Sequence, residues 1–408
     1  MAPLRIILVC LEAPIPFGNA AARWYYVLLR ELVARGHRVT CFAACSKQSE
    51  MDEARRLFPA EQYDLRLYTF PPRRGFRSKL QTLARPYSYM FSPELARDLE
   101  TELTQGYDIL HLEQLWCGWL ALRHRDRALV NVHHLTWIDQ EFLRPTTLRG
   151  RAERLLMFRA EETLIRRLRH FRTCSPRLVP EIMRVNPSAV CTTIPVGIDT
   201  KQYDYITDNR RTHAPVISVI GSMGWYPTSS AARRLMTRLW PEIKRRIPTA
   251  KVQLVGWNAK SALREFDGMP DVEISENVPD IRPYFERTGV MLYAPGRGSG
   301  MKIKILEAFG FGVPVVTTSE GVEGIPAVDG VHAGISEDDA GLITRAVELL
   351  QDHALQNRRR AAARALLEAH CGPHPTVDAL EGVYKRMLGG CADTVSKACD
   401  AFASNQVS

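Results

Sequence analysis

Short β-branched runs, each followed by a helical segment and then another such run, recur along the chain, and this alternation leaves few folds open. In the first unit, "RIILVC" reads as a strand at Arg5–Cys10, a loop runs through Asn19, and apolar spacing gives a helix from Ala20 to Ala34. "ARGHRVTCF" then turns at Gly36 into a second strand. Glycine at the helix end supplies the left-handed turn, and the β-branched and aromatic residues after it favour extended backbone. A strand, a helix and a second strand with a short return form a parallel unit whose crossover is almost always right-handed. "YDILHLEQLW", "ALVNVHHLTW" and "HFRTCSPRL" end further strands near His111, His133 and Cys174. A second series, "VISVIGSM", "KVQLVGW", "DVEISE", "GVMLYAP" and "VPVVTT", begins after "TIPVGIDTKQYDYITDNRRTHAP", which lacks apolar periodicity.

The pattern predicts an α/β protein with two parallel-sheet domains in tandem, and 408 residues are enough for two cores. The division expected is an N-terminal domain over 1–197, a linker over 198–214, a C-terminal domain over 215–388 and a small, polar, flexible tail over 389–408. Hydrophobic residues at 45% and charged residues at 24% fit a globular chain rather than a disordered one. No apolar run is long enough to span a membrane, and the opening is too quickly interrupted for a signal peptide. The nine cysteines lack a Cys-x-x-Cys pair, so they read as free thiols of a reducing compartment, and a cytoplasmic protein is expected.

The net charge of +9 concentrates between Arg144 and Arg172, where nine arginines face three glutamates. Leu155, Phe158, Leu164 and Leu168 fall at helical spacing there, which predicts one packed face with arginines outward. Without aromatic interleaving or a known binding module, nucleic acid is not expected as a partner. Peripheral contact of these basic helices with an anionic membrane, at its cytoplasmic face, is the functional alternative to a solvated surface.

In open parallel sheets ligands bind beyond the carboxyl ends of the strands. A dehydrogenase would place Gly-x-Gly-x-x-Gly after the first strand, yet "CLEAPIPFGNAAARW" has one glycine there. Walker, nucleophile-elbow and His-Glu-x-x-His motifs are missing too, as is the Asp-x-Asp that would hold a metal on a nucleotide sugar. "GRGSGMKIKILEAFGFGVPVVTT", from Gly296, is the richest candidate: a glycine-rich loop with Ser299 as helix N-cap, then a helix burying Ile303, Leu306 and Phe309. Amides at such a helix start bind anions. Lys302 in the first turn opposes the helix dipole unless an anion lies between them. Glu307 is one turn further on, within reach of a hydroxyl joined to that anion. Spacing alone also fits a surface pair between Lys304 and Glu307.

The order "GSG", "KIKILEAFGFGVPVVTT", "EGVEG", with "IPVGIDTKQYD" and "ENVPDIRPYF" before it, closely resembles the retaining glycosyltransferases of the large family 4 type, typified by sucrose synthase, glycogen synthase and bacterial mannosyltransferases. The likeness runs from "LEAPIPFGNAAARWYYVLLREL" to about Leu388. It implies a GT-B fold, two Rossmann-like domains facing a central cleft. It also implies hexosyl transfer with retained configuration from a nucleotide-diphosphate sugar, without metal or other cofactor. The acceptor would be lipid-linked or a glycan, in polysaccharide, glycolipid or glycoconjugate synthesis.

Matched position by position, Glu307 is the second glutamate of the family's Glu-x7-Glu motif and would hold the ribose, while the first falls at Ser299. Gly-Ser-Gly at that place is similar to exopolysaccharide-type members. The Arg and Lys that many members carry after the first strand of the second domain are replaced by Ser222, Trp225 and Thr228, so Lys302, Lys304 or Arg297 would supply the cation. The resemblance places His133 toward the donor sugar and makes it catalytic with Lys302, Lys304 and Glu307. It puts Gly18, Asn19, Gly221, Asn277, Val278, Arg297, Ser299, Gly300 and Met301 around the donor, and Glu113 and His134 on the acceptor side. A core or capping role for His133 and a salt bridge for Glu113 are the bland alternatives. A GT-B-fold sugar-nucleotide epimerase and a catalytically silent nucleotide-binding subunit are the competing functions.

Overall fold

The computed structural model describes residues 2–72, 83–141, 145, 147–211 and 214–389; the tail beyond Gly389, Arg144 and part of the linker lie outside them. Two all-parallel sheets carry the fold. The first contains β1 (Arg5–Cys10), β2 (Arg38–Cys45), β3 (Asp64–Thr69), β4 (Ile109–Leu112), β5 (Ala128–Val132), β6 (His170–Thr173) and β7 (Val190–Thr193), in the order β3-β2-β1-β4-β5-β6-β7. The second contains β8 (Val216–Ile220), β9 (Lys251–Gly256), β10 (Val272–Glu276), β11 (Val290–Tyr293), β12 (Val315–Thr317) and β13 (Gly334–Ile335), in the order β10-β9-β8-β11-β12-β13. Central strands are covered on both faces, so they read as continuous apolar runs: every residue of β4, β5 and β11 is buried.

In both sheets the strand order reverses beside the first strand, between β1 and β4 and between β8 and β11. The chain diverges there to opposite faces of the sheet, which opens a crevice at the carboxyl ends. The loops that leave these four strands carry Gly18–Asn19, Glu113, Gly221 and the Gly296–Lys302 stretch.

The first helix runs Ala20–Ala34 as its sequence predicts, with the Asn19 side chain accepting from the Ala22 amide. Helix Ile303–Phe311 departs from expectation. It begins at Lys302 without a side-chain cap, and eight of its nine residues are buried, so it is a core helix rather than an amphipathic one. The last helix, Pro373–Leu388, leaves the second sheet and returns to the first domain, where Glu381 meets His37 at 2.8 Å and Arg35 at 3.2 Å. The arginine-rich helix Leu148–Arg167 packs only through its second half, at Ala160, Glu161, Leu164 and Ile165. Leu155, expected in the core, is instead 58% exposed, outside the stretch of the helix that is buried.

Candidate active site between the two domains

The lysines of the opening stretch separate by charge environment. Lys302 is fully buried, and its Nζ donates to Glu320 Oε1 at 2.9 Å, Glu323 Oε2 at 3.0 Å and the Gly300 carbonyl at 2.8 Å. The anion expected between this lysine and the helix dipole is therefore supplied by the protein. Arg177 of the first domain binds the same two carboxylates, and together with Lys302 it holds the Glu320 carboxyl below its ordinary range although burial works against ionisation. Lys302 is a structural cation, which corrects its expected catalytic place. Arg297 is half-exposed, with Glu141 at 3.0 Å.

Lys304 has a different setting. Its ammonium reaches the segment after β8, donates to the Thr228 hydroxyl in the first turn of helix Tyr226–Arg234, and lies 5.1 Å from the Trp225 ring and 4.7 Å from that of Tyr293 in β11. Gly221 admits it, since a Cβ there would come within 2.9 Å of Nζ. Among the described residues no carboxylate forms an ion pair with Lys304. Burial removes the water that would stabilise its charge and drives its pKa down to about 7, with Glu307 pulling upward and Lys302 pushing further down. Trp225 and Thr228 thus form the seat of a cation that arrives from another element. A surface pair with Glu307 is excluded, because both residues are buried.

Glu307 faces the first domain, where Arg23 donates to its Oε1 and also to the Tyr203 hydroxyl at 3.3 Å. Arg23 was legible by the reasoning applied to Lys302, as a cation in the first turn of a helix, where only an anion makes it favourable. Gly18 and Asn19 are exposed at the lip of the cleft just before that turn. Asn277, in the left-handed region at φ +53°, donates its amide to the Gly256 carbonyl at 3.2 Å, so Gly221, Gly256, Asn277 and half-buried Val278 line adjacent strand ends.

The loop ahead of the helix is closed on the first domain. Ser299 is buried; its amide and hydroxyl both donate to Asp139 Oδ1, at 2.6 and 2.7 Å, and its hydroxyl accepts from the Leu135 amide at 2.9 Å. It is therefore an interdomain joint and no helix cap. Gly300 packs so tightly on the His133 carbonyl that a Cβ would lie 2.0 Å from the oxygen, and Met301 turns its sulfur to the Val196 amide. These side chains are committed to the joint, which corrects Ser299 and Met301 as side-chain donor contacts. Asp139, Arg177, Glu320 and Glu323 were missed as a set because their pairing is visible only across the cleft.

His133 stands at the end of β5 with its side chain 15% exposed, its Nε2 3.0 Å from the Glu113 carbonyl and 3.3 Å from Glu113 Oε2. Glu113 itself is fully buried behind His133, so its expected acceptor contact gives way to support of the histidine. Burial opposes its ionisation, but charge and hydrogen bonds from His111 and His133 outweigh that and hold the carboxyl well below the usual range. His134 is directed instead toward Asp139 Oδ2, at 3.4 Å.

A cavity of about 630 Å³ lies away from this cleft, at the amino-terminal edge of the first sheet. Among its charges Arg5 and Arg66 are paired with Glu102, and Arg66 also with Asp64.

Residues 21–202 match the model of Glycosyltransferase Family 4, and residues 214–352 that of Glycosyl transferases group 1. No curated protein matches the chain. Among solved structures, Anabaena Alr3699/HepE in complex with UDP and glucose is similar at 12% identity over 94% of this chain and 100% of that one, with a TM-score of 0.64. The sucrose-phosphate synthase of Thermosynechococcus elongatus is similar at 15% identity over 95% and 100%, with a TM-score of 0.68. WaaG, a glycosyltransferase involved in lipopolysaccharide biosynthesis, is similar at 14% identity over 94% and 100%, with a TM-score of 0.62. At these identities the likeness shows the GT-B fold, and a glycosyltransferase family model matches within each of the two domains.

Proposed function

We propose that the protein transfers a hexose from a nucleotide-diphosphate donor to a glycan or lipid-linked acceptor, with retention of configuration and without a metal ion. The observation that carries this reading is Lys304, a buried cation without a carboxylate partner among the described residues, set among Gly221, Thr228, Trp225 and Tyr293 where the second sheet reverses its strand order. A diphosphate placed there meets a lysine whose charge it restores and the amides that open helix Ile303–Phe311. As the sugar–phosphate bond breaks, charge grows on the departing diphosphate, and these groups stabilise it where water is excluded. Glu307 then serves the ribose, with Arg23 yielding or sharing the carboxylate. Gly221, Asn277 and Val278 border the base, Gly18 and Asn19 close over the diphosphate, and His133 meets the sugar. The Anabaena neighbour, seen with UDP-glucose, supports a nucleotide-sugar donor.

Calorimetry with UDP-, GDP-, dTDP- and ADP-sugars in EDTA is the test, paired with Lys304→Met and Glu307→Ala. Selective binding in the parent that falls at least tenfold in both variants is expected, followed by NMR of the product anomer. Binding unaffected by either substitution overturns the site, and an inverted anomer overturns retention. Leu148, 82% exposed, and Leu155 beside Arg149, Arg151 and Arg154 also favour docking on an anionic membrane. Among the described residues no helix is long and apolar enough to cross one. Equal co-sedimentation with neutral and anionic vesicles would remove the docking proposal.

A further inference from the structure

Glu113 and His133 are one end of a longer line of buried polar groups. Glu113 Oε2 accepts from Trp24 Nε1 at 2.9 Å and from Asn131 Nδ2 at 2.7 Å, while Oε1 lies 2.9 Å from His111 Nε2. On its far side, His111 Nδ1 is 2.5 Å from the hydroxyl of Tyr384, which belongs to the last helix. Trp24, His111, Glu113, Asn131 and Tyr384 are all fully buried, and only His133 retains exposure among these side chains. Other groups facing the line are the Tyr25 hydroxyl, which donates to the Glu113 carbonyl at 3.1 Å, the thiols of Cys10 and Cys117, and Arg172, stacked 4.6 Å from the Trp24 ring.

The proton positions follow from what each atom can do. An ionised carboxylate only accepts, so the His111 nitrogen 2.9 Å from Glu113 Oε1 approaches it as the protonated side of an ion-pair contact, off the line of a full hydrogen bond. Where His111 carries that hydrogen alone, its other nitrogen is a bare acceptor to which the Tyr384 hydroxyl donates. His133 Nε2 faces two acceptor oxygens of Glu113, the carbonyl and Oε2, and so carries its own hydrogen. Asn131 Nδ2, 2.9 Å from that nitrogen, places one of its two hydrogens on Glu113 Oε2, and the two Glu113 oxygens outnumber the second as partners of His133 Nε2. Nδ1 is the ring nitrogen of His133 that this arrangement leaves for a ligand.

We propose that Tyr384 is a positioning residue for the transfer reaction: through His111 and Glu113 it fixes His133 as the Nε2–H tautomer, so that His133 meets the donor sugar as a hydrogen-bond acceptor. Helix Pro373–Leu388 is then part of the active-site framework, although it touches no substrate. The sugar contact rests on the proposed transfer function, whereas the proton arrangement stands on geometry alone.

The test is 15N NMR of histidine-labelled full-length protein, with ring signals assigned from His111→Gln and His133→Gln. The parent is expected to show His133 protonated at Nε2. In Tyr384→Phe, His111 loses its hydroxyl donor, the His133 signal moves toward mixed tautomers, and kcat falls about tenfold at unchanged donor KM. His111→Phe, which breaks the line at its next member, is expected to move the His133 signal and lower kcat in the same direction, and it serves if Tyr384→Phe does not fold. A parent His133 protonated at Nδ1, a His133 signal unaltered in Tyr384→Phe, or an unaltered kcat overturns the proposal. Should no donor be turned over, the transfer reading fails while the nitrogen shifts still decide the arrangement.

Discussion

Donor binding should take up a proton at alkaline pH, and Lys304 sets the size of the effect. Its pKa lies near 7 in the free protein because burial penalises the charge. A diphosphate beside Nζ restores the ordinary lysine range of about 10.4. At pH 8.5 only about 3% of free protein then carries this proton, and nearly all of the complex does, so uptake approaches one proton per donor bound. At pH 6 the free lysine is already about 90% charged and uptake falls to about 0.1. Donor affinity should be flat below pH 7 and drop about tenfold per unit above it, until the pKa of the complex is reached. Calorimetry in two buffers of different ionisation enthalpy measures the uptake directly. Binding at pH 8.5 without proton uptake, or uptake that persists in Lys304→Met, would refute the assignment.

The same lysine makes the free protein less stable near neutrality. With a folded-state pKa below the unfolded one, the unfolded chain binds more protons between pH 7 and about 10.4, so this group's contribution rises with pH by about 5 kcal/mol across that window. Lys304→Met removes that dependence and should raise the melting temperature without donor, even after losing about 1 kcal/mol with the Thr228 contact. Lys302→Met should do the opposite, costing about 3–5 kcal/mol in denaturant titration, because Glu320 and Glu323 lose a buried partner. Gly300→Ala, at φ +78° and against the His133 carbonyl, should cost more than about 3 kcal/mol or abolish folding; a variant with parental stability would mean the interdomain joint is looser than described. Arg23→Ala should lower stability by about 2 kcal/mol, the partial exposure of both groups taking it below a fully buried pair, as measured by chemical unfolding.

Much of the fold was legible because period and punctuation are local properties. Strand and helix signals, Asn19 as a cap and Gly36 as a stop lie within a few residues of the elements they shape. The glycine-rich loop and the helix after it were located for the same reason. What each lysine does there was not legible. Lys302 and Lys304 are two residues apart with identical side chains, yet one faces Glu320 and Glu323 and the other faces aromatic rings and a hydroxyl. The joint of Ser299 with Asp139 spans 160 positions, and the contact of Arg23 with Glu307 spans 284. Sequence by itself determined two parallel sheets in succession and the stretch where an anion would be held. Tertiary structure decided which cation is left for that anion, because a charge buried in a domain interface is defined by its neighbours in space and not by its neighbours in the chain.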